Sequence, residues 1–333
     1  MEPQTKKVKT EMKIGTHSGT FHADESLAVY MLKLLPRFLN ATVLRSRDPE
    51  LLETCDIIVD VSGQYDGTKH FDHHQRGFEE TFGPEYKTKL SSAGLIYKHF
   101  GREVLSELLK VPSNDKSLDV LFPKVYTEFV EAIDANDNGI SAYPESVQSA
   151  YKNSAITLPA MVSRLNPLWN DPRVNDDSYL DERFEKASQL MGTAFEFVVE
   201  GYGKGWYPAK SIVREAIDQR KQYDDQGRIV VFDKFVPWKE HLYTIEEEDG
   251  IQGQILYVVY SDGKAYRVQA VPESSGSFNS RKALPEKWRG VRDEELSKLS
   301  GIPDCIFVHA AGFIGGNKTR EGALEMAKKA LEL

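Results

Sequence analysis

Residues 56–63 read DIIVDVSG, and residues 70–78 read HFDHHQRGF. The apolar run Ile57-Ile58-Val59 is short, β-branched and followed by turn residues, so it reads as a buried strand ending at Asp60. Asp72, His73 and His74 then stand in immediate succession. Successive strand side chains point to opposite faces. Three adjacent ionisable groups therefore suit neither an ordinary strand nor a helix face. They suit a position just beyond a strand end, where they share one task.

Outward from this stretch, strands and helices alternate. MKIGTHSG begins as a strand and ends as a loop, ADESLAVYMLKLLPRF is a helix stopped near Pro36, and ATVLRSRD is a strand. SSAGLIYKHFGREVLSELL and LFPKVYTEFVEAIDANDNGI read as helices, the second ending in a polar, glycine-terminated segment. This alternation predicts an α/β fold, a parallel sheet with helices on both faces. Sites in such sheets form outside the carboxyl ends of the strands. From about residue 150 the strands stop: SAITLPAMVSRLNPLW, LDERFEKASQLMGTAFEFVVEGYGKG and PAKSIVREAIDQR are helical without intervening strands. RIVVFDKF, QILYVVYSD and KAYRVQAVPE are strands again, and the sequence closes with a strand, a glycine-rich loop and a helix. The division expected is a domain at 12–150, a helical connection at 151–222 and a smaller α+β domain at 223–333.

Bulk properties bound the function. Hydrophobic residues make up 40% and charged residues 28% of 333 residues, the profile of a globular protein with room for two domains and a sizeable core. No stretch approaches the roughly 20 apolar residues of a membrane-spanning helix. The net charge of -9 argues against a general nucleic-acid coat, although a bound divalent ion lets carboxylates serve an anionic substrate. Cys55 and Cys305 lie far apart with no metal or redox spacing, which points to a reducing compartment without disulfides. The first thirteen residues, MEPQTKKVKTEMK, read as a polar tail, neither a secretory signal nor a clear transit peptide, and KKVK is at most a weak nuclear address. An intracellular location follows, cytoplasmic or nuclear, with a mitochondrial pool left open.

Five of the eight histidines precede residue 75. His17, His22 and Asp24 lie in THSGTFHADES, between a strand and a helix; Asp60 ends a strand; His70, His73 and His74 follow it; Asp134 and Asp137 lie in IDANDNGI. Imidazole nitrogen and carboxylate oxygen together suit Mn²⁺, Fe²⁺, Zn²⁺ or Co²⁺, and the absence of nearby cysteine argues against structural zinc. Two ions about 3.5–4 Å apart, sharing a carboxylate, would serve hydrolysis at phosphorus. Taken singly, Asp60 reads equally as a turn cap, and either Asp134 or Asp137 as an Asx-turn residue; their company favours a metal site. His99 and His241 are given no role.

In these motifs the chain resembles the DHH phosphoesterase superfamily, and more closely the melanocyte-proliferating-gene (Myg) family of DHH-type 3′–5′ exoribonucleases. THSGTFHADESLA, FDHHQRGF, DANDNGI, PESSGSFNSRKALPEKWRG and FVHAAGFIGGNKTREGALEMA carry the likeness, from about residue 12 to the end. The resemblance implies two divalent ions, Mn²⁺ with Mg²⁺ and Co²⁺ as alternatives. His17, His22 and Asp60 would hold the first and Asp24, Asp60, His73 and Asp134 the second, with Asp137 as the alternative to Asp134. His74 would meet the substrate phosphate and Asp72 orient its neighbours. His22 stands where the superfamily commonly has Asp, which leaves the preferred metal open. The C-terminal domain would bind substrate through Arg281 as a bidentate phosphate clamp, His309 and the flexible Gly315-Gly316 backbone, and Lys318 and Arg320 at a helix start. Spacing alone reads the glycines equally as a strand-to-helix turn. Trp288 and Phe278 read as core residues before base-stacking ones.

The expected activity is hydrolysis of the terminal phosphodiester of single-stranded RNA, or DNA, releasing nucleoside monophosphates. RNA and direction come from the resemblance; the residues alone reach a two-metal phosphoester hydrolase. The alternatives are a phosphohydrolase of pyrophosphate, dinucleotides or short oligonucleotides, and a non-catalytic metal- or RNA-binding module, against which the complete ligand set argues. The partner is RNA or a short oligonucleotide, not a membrane, and a homo-oligomer is compatible with the sequence.

Overall fold

The computed structural model describes residues 11–144, 146, 147, 151 and 154–333. The KKVK stretch and the boundary at residue 150 lie outside them. The chain divides into two compact units, Met1–Lys204 and Gly205–Leu333.

The first unit runs β1 (Lys13–Thr16), α1 (Ala23–Lys33), β2 (Thr42–Arg45), α2 (Pro49–Leu52), β3 (Ile57–Val59), β4 (His70–Phe71), α3 (Ser92–Leu109), α4 (Ser117–Val125), α5 (Glu131–Asp137), α6 (Leu158–Ser163) and α7 (Asp177–Glu200). The four strands form an entirely parallel sheet in the order β2-β1-β3-β4, flanked by helices. Alternation along the strands divides the core. Ile58 joins Leu52 and Cys55 beside α2, while its neighbours Ile57 and Val59 are buried on the opposite face. α1 packs on β3 and against α3 and α7. The helix expected over 121–140 runs from Ser117 to Asp137, with Pro123 inside it and a widened π-helical turn at Tyr126–Val130.

The second unit comprises α8 (Tyr207–Asp218), β5 (Ile229–Phe232), α9 (Lys239–Asp249), β6 (Tyr257–Ser261), β7 (Tyr266–Ala270), α10 (Asp293–Ser300), β8 (Cys305–Val308), β9 (Ile314–Asn317) and α11 (Arg320–Glu332). Its mixed sheet has the order β5-β6-β7-β9-β8, with only β5 and β6 parallel. Period-2 alternation sends Ile229, Val231, Tyr257 and Val259 into a core with α10 and α11, and Val230, Phe232 and Val258 into one with α8 and α9.

The helical stretch 151–222 is shared out: α6 and α7 belong to the first unit and α8 to the second. α7 is bound to α1 by close packing at Gly192, where a β-carbon would overlap the Tyr30 ring, and by Tyr30 donating to Glu196 Oε1 at 2.8 Å. Gly192→Ala should therefore destabilise the protein by about 1–3 kcal/mol, outweighing the roughly 1 kcal/mol that Ala gains over Gly in a helix. A lowered melting temperature is expected; an unchanged or raised one would show that α7 and α1 repack freely.

Candidate metal centre

Three strand ends deliver the site. His17 follows β1, Asp60 follows β3, and Asp72, His73 and His74 follow β4. Because these strands are neighbours running in one direction, their carboxyl ends lie side by side. The first turn of α1 adds Asp24 and Glu25, and the end of α5 adds Asp137.

Asp60 is the centre. Its backbone is left-handed (φ 59°), a conformation that is costly for a residue with a side chain, and its amide donates to Phe71 at 3.2 Å. Its buried carboxylate has His17 Nε2 at 3.5 Å on Oδ2, and His73 Nε2 at 3.6 Å and His74 Nδ1 at 3.5 Å on Oδ1. Three groups of His, Asp and Glu result: His17, His22, Glu25 and Asp60; Asp60, Asp72, His73 and His74; Asp24, His73 and Asp137. Within each group the potential ligand atoms lie within 4.8 Å of one another, and each group can hold a metal ion. Asp60 and His73 link all three.

The electrostatics fit cations. Burial disfavours the charged imidazole of His17, yet the Asp60 and Glu25 carboxylates outweigh it and push the ring up to about 10. Burial is likewise overcome at His73, which Asp137 and Asp60 push up to about 10. Asp60 is held well below the usual carboxylate range by these imidazoles despite its burial. Asp24 is pushed well above that range by burial and by the Asp137 and Asp60 charges. Neither His73 ring nitrogen has a well-directed hydrogen bond among the described residues, although Nε2 lies 3.0 Å from Asp137 Oδ2. Buried ring nitrogens without a well-directed partner, facing crowded carboxylates, form a donor set able to hold a divalent ion.

The start of α3 positions the acidic groups. Asp24 accepts from Ser92 N at 3.0 Å, from Ala93 N at 2.7 Å and from the Ser91 hydroxyl. Asp134 accepts from Ser91 N at 3.1 Å and Gly94 N at 3.0 Å on Oδ1, which also lies 2.7 Å from the Ser91 Oγ shared with Asp24, and from the Tyr126 hydroxyl at 2.8 Å on Oδ2. Helix N-terminal amides and the helix dipole favour both anions. Gly94 admits Asp134, since a β-carbon there would overlap the carboxylate.

The geometry favours Asp137 of the two α5 aspartates. Asp134 joins none of the metal-capable groups, its oxygens being engaged by Ser91, Gly94 and Tyr126, while Asp137, one helical turn on, faces His73. Burial pushes the Asp134 carboxyl up to about 7, with the Ser91 and Tyr126 donors pulling against it. His17, Asp24, Asp60 and His73 converge as expected, and His22 joins the first group from an exposed position. Asp72 accepts from the amides of Gly63, His73 and His74 and holds His74 Nδ1 at 2.8 Å. It thus orients the loop, and the His74 ring remains 61% exposed. Glu25, Ser91 and Ser92 were not singled out from sequence. Glu25 stands three residues after His22, the spacing of a helix-capping pair, and the two serines open a helix.

In the second unit Arg281 is paired within the fold: Nη1 and Nη2 each lie 2.7 Å from a Glu246 oxygen, and Nη1 also donates to Ile255 O. A guanidinium already engaged by a buried carboxylate is a structural ion pair. Gly315 and Gly316 lie within β9, not in a loop; a β-carbon at Gly316 would crowd Arg267 and Phe307 on the adjacent strands. His309 is exposed in the β8–β9 turn, its ring 4.6 Å from that of Phe313. Lys318 is exposed and 3.6 Å from Asp304, and Arg320 opens α11 and donates to the Tyr223 hydroxyl at 3.2 Å. Trp288 is a core residue, whereas Phe278 is fully exposed.

A parallel α/β sheet whose strand ends assemble His, Asp and an Asp-His-His run is a fold that carries a candidate metal centre. The model of a family described as "Uncharacterised protein family (UPF0160)", with MYG1 exonuclease in its name, matches residues 13–331. The chain is 59% identical over 322 residues to the MYG1 protein of Schizosaccharomyces pombe, covering 96% of this chain and 98% of that protein. It is 48% identical over 333 residues to the MYG1 exonuclease of Homo sapiens, covering 98% and 87%. A crystal structure of RecJ from Thermus thermophilus in complex with Mn²⁺ aligns over 98% of this chain and 53% of that one, at 13% identity and a TM-score of 0.26, too low to add to the fold described above. The chain belongs to the MYG1 family.

Exchanging the two aspartates of α5 separates their parts. Asp134→Asn sets an amide against the donors of Ser91, Gly94 and Tyr126 and should cost about 1–3 kcal/mol of stability. Asp137→Asn should leave melting of the metal-free protein within about 1 kcal/mol of wild type, yet weaken Mn²⁺ binding by at least roughly the 10–100-fold that losing a supporting partner costs. Thermal melts and calorimetric Mn²⁺ titrations of both variants read this; wild-type Mn²⁺ affinity in Asp137→Asn would contradict it.

Proposed function

We propose that the protein is a divalent-metal-dependent 3′–5′ exonuclease that removes nucleoside monophosphates from single-stranded RNA. The observation that carries the reading is Asp60, buried between His17 and His73 at the meeting of three parallel strand ends. Relatives that match nearly the whole chain are named exonucleases, which favours a polynucleotide substrate.

In this reading His17, His22 and Asp60 hold one ion, and Asp24, Asp60, His73 and Asp137 the other, with Asp60 shared. Mn²⁺ suits the mixed nitrogen and oxygen donors. When bound, the pair would supply Lewis-acid stabilisation of phosphoryl charge and an acidified water. Asp72 fixes the His74 ring through Nδ1, leaving Nε2 of this exposed imidazole to meet a phosphate oxygen, to which the protonated ring donates. The first unit is thus the catalytic one. The second binds the substrate strand through His309, Lys318 and Arg320, with Gly315 and Gly316 keeping the strand that precedes α11 closely packed. Arg281 supports Glu246 and is not part of this contact. The two cysteines, both unpaired and buried, accord with action in a reducing compartment.

The test is to incubate the full chain with Mn²⁺ and a 5′-labelled RNA 20-mer, its DNA counterpart, and pyrophosphate in separate reactions. Stepwise shortening of the labelled RNA with mononucleotide release is expected, with Asp60→Ala inactive. Phosphate release from pyrophosphate while the RNA stays intact would overturn the reading in favour of a small-molecule phosphohydrolase.

A further inference from the structure

Glu25 is fully buried in the first turn of α1. Oε1 accepts from the His22 amide at 2.8 Å and lies 3.1 Å from His17 Nε2. Oε2 is buried with no hydrogen-bond partner among the described residues. Helix capping accounts for the contact of Oε1 with the His22 amide. It does not account for a second oxygen stripped of water and left bare, which is costly for a carboxylate. One ligand atom of Glu25 lies within 4.8 Å of those of His17, His22 and Asp60. His17 Nδ1 faces Ser18 O at 3.3 Å, so Nε2 is the nitrogen turned to the two carboxylates.

Charge points the same way. Two imidazoles and Asp60 alone oppose a divalent ion with one negative charge, and one of those imidazoles, His22, is exposed. Because Asp60 is shared, Asp24, Asp60 and Asp137 set three negative charges against two divalent ions, and the Glu25 carboxylate brings the count to four while contributing a buried oxygen. We propose that Glu25 is itself a ligand of the first metal position, completing with His17, His22 and Asp60 a set of two imidazoles and two carboxylates. The assignment rests on the two-metal reading above.

The full chain, stripped with chelator, is titrated with Mn²⁺ by calorimetry, and bound ions are counted by equilibrium dialysis. Glu25→Gln keeps an oxygen for the His22 amide but removes the charge. Wild type is expected to bind two ions per chain, and Glu25→Gln to bind one of them about tenfold or more weakly with the other unchanged. The metal-free variant should still fold, since the cap is retained, and melt somewhat lower than wild type because the charge facing His17 is lost. Glu25→Asp, which keeps the charge but shortens its reach, should show the same selective loss and stands in if Glu25→Gln does not fold. Two ions bound with wild-type affinities by either folded variant would overturn the proposal and leave Glu25 a helix cap. A wild-type chain that binds no Mn²⁺ would instead remove the metal centre, and this assignment with it.

Discussion

A carboxylate buried at the end of a three-residue strand, in a left-handed backbone, with imidazoles on both oxygens, is the constraint around which the first unit is organised. Asp60 cannot move without breaking the pairing of β3 with β4, because its amide is tied to Phe71 at the end of that strand. The strands are short, four, three and two residues for β1, β3 and β4, and each ends where a charged or ligating side chain begins. The sheet thus stops where backbone pairing gives way to side-chain chemistry.

Around Asp60 the protein concentrates negative charge that an apolar core would not tolerate. Asp24, Glu25, Asp60, Asp72 and Asp134 are all buried. Three devices hold them. The N-terminus of α3 gives amides to Asp24 and Asp134; the loop from Gly63 to His74 gives amides to Asp72; imidazoles face Asp60 and Glu25. Asp134 secures the α3 start and, through the shared Ser91 hydroxyl, the placement of Asp24. Asp72 and Asp134 are held by amides and hydroxyls outside the metal-capable role proposed for the others, whereas Asp24, Glu25 and Asp60 face histidine or carboxylate side chains of the centre.

Much of this was legible in the sequence, because the information was local. Alternating strand and helix patterns announce the parallel sheet, and the clustering of histidine with aspartate at strand ends announces side chains that the fold brings together. What escaped required three-dimensional partners. Asp134 and Asp137 are three residues apart on one helix face, so sequence cannot tell which reaches His73 and which meets the start of α3. Arg281 reads as a free cation until Glu246, distant in sequence, is found against it. Gly315 and Gly316 hide a strand because glycine leaves no alternation to read, although β7 and β8 pair with it on either side. Periodicity announced the helices of 151–222 but not which core each would enter, since an apolar stripe does not name its partner. Glu25 was concealed by its own ordinariness, an acidic residue in the first turn of a helix.

In the proposed function Asp60 serves two ions at once. Anomalous diffraction from crystals of the full chain grown with Mn²⁺ tests this most directly. Two manganese peaks about 3.5–4 Å apart, both within ligand distance of the Asp60 carboxylate, are predicted, one beside His17 and the other beside His73. A single peak, or peaks that leave Asp60 untouched, would contradict it.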